Sequence, residues 1–89
     1  MQYNEIEGMI RNDILGKNFR IIGSIEKNIK DVSNDEYFIE DLGIDSIGIM
    51  ALIADVEKVF DIRIEQGELT KDNLGNIDSL VRCIIRKTE

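Results

Sequence analysis

Apolar positions recur at helical spacing in three stretches of the chain. In residues 3–15, Tyr3, Ile6, Ile10 and Ile14, with Met9, share one helical face. Glu5 and Glu7 put negative charge in its first turns, where the helix dipole favours it, and Gly16 is a stop signal. The pattern over 46–60 is sharper. Ile49, Leu52, Ile53, Val56 and Phe60 form one core-facing stripe, with Ile47, Ala51 and Ala54 opposite it and Met50 at its edge. Asn76 reads as the N-cap of a last helix that turns Ile77, Leu80, Val81, Ile84 and Ile85 inward. Arg82, Arg86 and Lys87 near its end suit the dipole.

The segments between are less regular. In 19–29, Ile21, Ile25 and Ile29 have helical spacing, but Gly23-Ser24 interrupts them. The run Phe19-Arg20-Ile21-Ile22 fits an extended segment equally well, so both readings stand. Residues 32–45 form a loop, with Ser33, Asn34 and Asp35 as turn or capping residues. Phe38, Ile39 and Leu42 are its anchors to the core, without which so long a loop would be out of place in a compact domain. A link over 61–65 leads to one or two poor helical turns around Leu69 in 66–72. The predicted fold is all-α: a small bundle of three main helices and one short helix, in a single domain spanning 1–89.

Composition narrows the function. Of the residues, 43% are hydrophobic, enough for one modest core. Histidine is absent, which removes the commonest general base and the commonest metal ligand together. A single cysteine, Cys83, excludes an internal disulfide and a multi-cysteine metal site, and points to a reducing compartment. Cys83 falls off the inward stripe of the last helix, which predicts a partly exposed thiol. With no base to activate it, it is no candidate nucleophile. The net charge of −7 repels phosphate backbones, so nucleic acid is not an expected partner, whereas basic protein surfaces are. No apolar run suits a membrane span, and the start MQYNEIEG lacks a signal-peptide core. A cytoplasmic, monomeric protein without a membrane partner is expected. The acidic residues Asp35, Glu36, Glu40, Asp41 and Asp45 lack the ligand order of an EF-hand loop and read as a solvated surface, with no metal site.

The informative tract is Glu40-Asp41-Leu42-Gly43-Ile44-Asp45-Ser46-Ile47, a tight acidic turn that delivers a serine to the start of a helix. Backbone N–H groups there lack intrahelical partners and, with the dipole, favour a phosphate. A serine at that point is suited to carry a phosphodiester on Oγ, with Gly43 allowing the turn before it. Taken alone, the tract reads as an ordinary helix start at which Ser46 or Asp45 serves as the cap.

A wider match changes that balance. Phe38-Ile39-Glu40-Asp41-Leu42-Gly43-Ile44-Asp45-Ser46-Ile47 resembles the phosphopantetheine attachment motif of the acyl and peptidyl carrier protein family. The resemblance continues through Glu57-Lys58-Val59-Phe60-Asp61-Ile62-Arg63-Ile64 and through Leu69-Thr70 and Asn76-Ile77-Asp78-Ser79-Leu80-Val81. It implies a non-enzymatic carrier that holds an acyl or aminoacyl group as a thioester on a 4'-phosphopantetheine arm from coenzyme A. Ser46 would bear the arm, and Asp45 would help dock the phosphopantetheinyl transferase. Further partners implied are an acyl- or aminoacyl-loading enzyme and the synthase or transferase enzymes that use the cargo.

Two departures from the family pattern matter. Fatty-acid-type carriers usually have acidic residues two and five positions after the serine, where this chain has Gly48 and Ala51. Ile47, Met50, Ala51 and Ala54 instead offer a small apolar strip for a partner. The expectation is a carrier for a polyketide, nonribosomal peptide or other dedicated assembly pathway. The alternatives are a housekeeping fatty-acid carrier and an unmodified helical interaction module. The second departure is a longer segment ahead of residue 32 than a compact fatty-acid carrier needs.

Overall fold

The computed structural model describes residues 2–16 and 31–89; the ambiguous stretch 19–29 lies outside the described residues. Among the described residues there are four α-helices: α1 (Tyr3–Met9), α2 (Ser46–Phe60), α3 (Lys71–Leu74) and α4 (Ile77–Thr88). α1 continues as π-helical turns over Ile10–Leu15, and a 3-10 turn, Gln66–Glu68, precedes α3. The architecture is the all-helical bundle expected, with three main helical segments and one short one.

The π winding has a reason in the side chains. An i→i+5 ladder brings Leu15 beneath Ile10, and Ile6, Ile10, Ile14 and Leu15 are all fully buried. On a regular α-helix Leu15 would have left the stripe. Gly16 is not a left-handed stop: it is still helical (φ −62°, ψ −36°), and its N–H donates to the Arg11 carbonyl. A Cβ at Gly16 would lie 2.9 Å from that oxygen, so the missing side chain permits the close approach.

α2 buries Leu52, Val56 and Phe60, while Ile49 and Ile53 are half-buried against the same core. Each such aliphatic or aromatic side chain contributes roughly 1.5–3 kcal/mol when fully buried. The helix ends where Asp61 takes the left-handed conformation (φ 53°), one that aspartate tolerates better than most residues. The Glu57 carboxylate then accepts the Ile64 N–H at 2.9 Å and turns the chain inward.

The anchors between helices differ in part from those expected. Phe38 and Leu42 are buried, but Ile39 is 55% exposed and Ile44 fills the interior instead. Leu69 is likewise 45% exposed, and Leu74 is the residue that pins α3. The expectation for Cys83 also fails: its side chain is 1% exposed. α4 packs against both α1 and α3, so its buried arc is wider than a single stripe. Desolvation pushes the Cys83 thiol up from its ordinary pKa.

Polar contacts lock α1 to α4. Tyr3 Oη donates to Asp78 Oδ1 at 2.7 Å, and the Asp78 N–H donates to the Asn34 carbonyl at 3.0 Å. Arg82 Nε pairs with the same Asp78 carboxylate at 3.1 Å. Burial, then the Asp78 hydrogen bond and charge, push the Tyr3 phenol up to about 12. The Tyr3 hydroxyl, with help from Arg82, holds the Asp78 carboxyl below its usual range.

Candidate functional site

The loop before α2 is built so that one serine emerges at a fixed place. The Tyr37 carbonyl accepts the N–H groups of Asp41 and Leu42, at 3.0 and 3.1 Å, and the Asp41 carboxylate accepts the Tyr37 N–H at 2.8 Å. Gly43, at φ +72°, reverses the chain as a residue with a side chain rarely does. Ile44 then donates its N–H to the Phe38 carbonyl at 2.9 Å and buries its side chain. The Phe38 N–H bonds to the Gly75 carbonyl at 2.8 Å, which ties the loop to the entry of α4.

Two residues later α2 begins. The sequence left open which of two residues caps it; Asp45 does, its Oδ1 accepting the Gly48 N–H at 2.7 Å. Ser46 is therefore the first helical residue, and it is exposed. Among the described residues its hydroxyl has no hydrogen-bond partner. The ladder of α2 starts with the Ile49 N–H on the Asp45 carbonyl at 2.9 Å, leaving the Ser46 and Ile47 N–H groups at the open end of the dipole. A phosphodiester on Ser46 Oγ would meet favourable potential there.

The acidic residues of the tract have local work. Asp41 and Asp45 accept backbone N–H groups, Glu36 accepts the Ser33 N–H at 2.8 Å, and Asp35 accepts the Ser33 hydroxyl. Glu40 pairs with Lys71 at 3.4 Å. Among the described residues no cluster of carboxylates and cysteine converges to hold a metal ion.

The outer face of α2 carries the apolar strip. Ile47 is 79% and Met50 66% exposed, Ala54 is exposed, and Ala51 is half-buried. Gly48, one turn before Leu52, is buried.

A cleft that the sequence had not suggested opens beside the strip. It has a volume of about 180 Å³ and lies between α2, α3 and the loop, with Phe38, Ile49, Ile53 and Leu74 in its walls. Ile49 stands one helical turn after Ser46, so the cleft begins close to the serine. Its half-buried isoleucines and the exposure of Ile39 and Leu69 have this common cause: they line an opening, not a closed core.

The described residues thus form a small helical bundle with an exposed serine at a capped helix start. Residues 20–84 match the family described as "Phosphopantetheine attachment site", and the chain belongs to that family. The family is one of non-catalytic carrier proteins with an attachment site for phosphopantetheine. Over 45 residues it is 38% identical to the acyl carrier protein of Rickettsia bellii (strain RML369-C), a match covering 51% of this chain and 52% of that protein. The chain thus spans about half the length of the curated relative it matches. Among the described residues, no helix is long and apolar enough to cross a membrane.

Proposed function

We propose that Ser46 is the residue that takes the 4'-phosphopantetheine arm from coenzyme A, and that residues 1–89 act as a single, monomeric, cytoplasmic carrier domain. The observation behind this is the exposed Ser46 at the first helical position, freed from capping by Asp45. Asp45 has two tasks in this reading: it orders the start of α2 and presents a carboxylate to the transferase. The arm's terminal thiol, not the buried Cys83, carries the acyl or aminoacyl cargo.

The pathway is a dedicated one, of polyketide, nonribosomal peptide or similar assembly type. Support comes from α2, where Ile47, Met50, Ala51 and Ala54 offer packing area where fatty-acid-type carriers usually place charge. The cleft takes a short apolar cargo, since an apolar cavity of about 150 Å³ holds benzene.

Incubation with coenzyme A and a promiscuous phosphopantetheinyl transferase, followed by intact mass, tests the assignment. Wild type gains one arm and Ser46→Ala gains none. Modification that survives in Ser46→Ala refutes it. If a fatty-acid ketosynthase uses the loaded protein as readily as its ordinary carrier, the housekeeping alternative holds instead.

A further inference from the structure

Among the described residues three carry sulfur, and the fold treats them differently. Cys83 is sealed in the core, and desolvation holds its thiol above the ordinary pKa, away from the reactive thiolate. Met9 is half-buried and packs against the core where α1 passes into its π-helical turns. Met50 stands in the open, 66% exposed on a helix that buries its other face.

The surroundings of Met50 make that exposure consequential. It follows Ser46 by four residues and Ile47 by three, spacings that put neighbours on one helical face. Long side chains on a helix lean toward its N-terminus, so the thioether lies on the Ser46 side of its own Cα. Ile47 and Met50 are the most exposed of the large apolar side chains described, and Ala51 and Ala54 add little area to the strip. Its apolar surface is thus concentrated in two side chains, one of which is a thioether. That sulfur is the one atom of the strip open to a mild two-electron oxidant.

We infer that Met50 is a site of reversible oxidation by hydroperoxides, and that its sulfoxide turns off the apolar strip. The sulfur supplies an electron pair to the terminal oxygen of the hydroperoxide. An S–O bond forms as the O–O bond breaks. The proton of the transferred oxygen passes to the other oxygen, which leaves as water or an alcohol. The sulfur is oxidised by two electrons and the peroxide reduced by two. The product is polar where the thioether was apolar and pliable, and sulfoxide reductases reverse it. Such a group packs poorly into the apolar contact that the proposed function gives the strip, so a partner docks less well. That consequence rests on the proposed function, whereas the choice of sulfur does not.

Dilute hydrogen peroxide, followed by peptide mass mapping over time, tests the choice of sulfur in the wild-type protein. Met50 takes up one oxygen about five-fold faster than Met9, and Cys83 stays a thiol. An equal or faster rate at Met9, or oxidation of Cys83 before Met50, would overturn the assignment. Transferase labelling then reads the consequence. In wild type oxidised at Met50, KM for the carrier rises about ten-fold, much of the benefit of burying one methionine, while kcat holds. Methionine sulfoxide reductases A and B together restore the original KM, and helicity by circular dichroism stays constant throughout. Met50→Leu, whatever its own KM, labels after peroxide as it does before, which separates Met50 from oxidation elsewhere. Unchanged KM in the oxidised wild type, or an equal rise in peroxide-treated Met50→Leu, refutes the switch. Labelling absent from oxidised and untreated protein alike counts against Ser46 as the attachment site, and the placement of the oxygen still decides Met50.

Discussion

Asp45→Ala is the perturbation that bears most directly on how Ser46 is presented. The substitution removes the acceptor of the Gly48 N–H, a 2.7 Å bond at the third position of α2. Gly48 is buried, so water replaces that acceptor poorly. A buried donor left unpaired costs about 1–3 kcal/mol, and loss of an N-cap typically about 1 kcal/mol; we expect about 1.5 kcal/mol here. Asp45→Asn keeps an oxygen in place and forfeits chiefly the attraction between carboxylate and dipole, about 0.3–1 kcal/mol. For a urea slope of about 1 kcal/mol per molar, the midpoint falls by about 1.5 M in the alanine variant and by about 0.5 M in the asparagine variant. Unfolding followed by circular dichroism at one pH and salt concentration reads both. Transferase labelling below the transition then separates the two tasks of Asp45. A rate lost in Asp45→Asn, with the cap retained, belongs to docking. If Asp45→Ala unfolds at the same urea concentration as wild type, the cap is not what orders the start of α2, and the account of Ser46 presentation fails.

Two further outcomes test the packing and the polar lock. Phe38→Ala, at a fully buried site, should cost about 3–5 kcal/mol, whereas Ile39→Ala, at a site 55% exposed, should stay within about 0.5 kcal/mol in the same urea titration. Tyr3→Phe should be less stable than wild type in the neutral range, with the gap closing at both extremes. The Tyr3 contribution is complete below the ordinary tyrosine pKa near 10 and is lost as pH rises through about 12. The Asp78 contribution is complete above the ordinary aspartate pKa near 4 and is lost as pH falls through its depressed value. A gap that is constant from pH 3 to pH 12, on this scale of ordinary values, would show that the hydrogen bond between Tyr3 and Asp78 does not couple to folding.

The amino-acid sequence by itself determined the helical class, the boundaries of α2 and the start of α4, and the tract around Ser46. These rest on local physics. A stripe at helical spacing, an asparagine whose Oδ1 meets the Ser79 N–H at 2.7 Å, and a glycine at positive φ act within a few residues of chain, so they can be read from it. Tertiary structure alone decided the rest, because each case depends on what packs from elsewhere. Cys83 is buried since α4 has neighbours on two sides. Ile39 and Leu69 are exposed while Ile44 and Leu74 take the interior, because the loop and α3 close against each other around a cleft. Apolarity measures how much a residue gains from leaving water, but it does not say which of two adjacent apolar residues does so. Lys71 meets Glu40 and Tyr37 across more than thirty residues of chain, and only the fold brings them together.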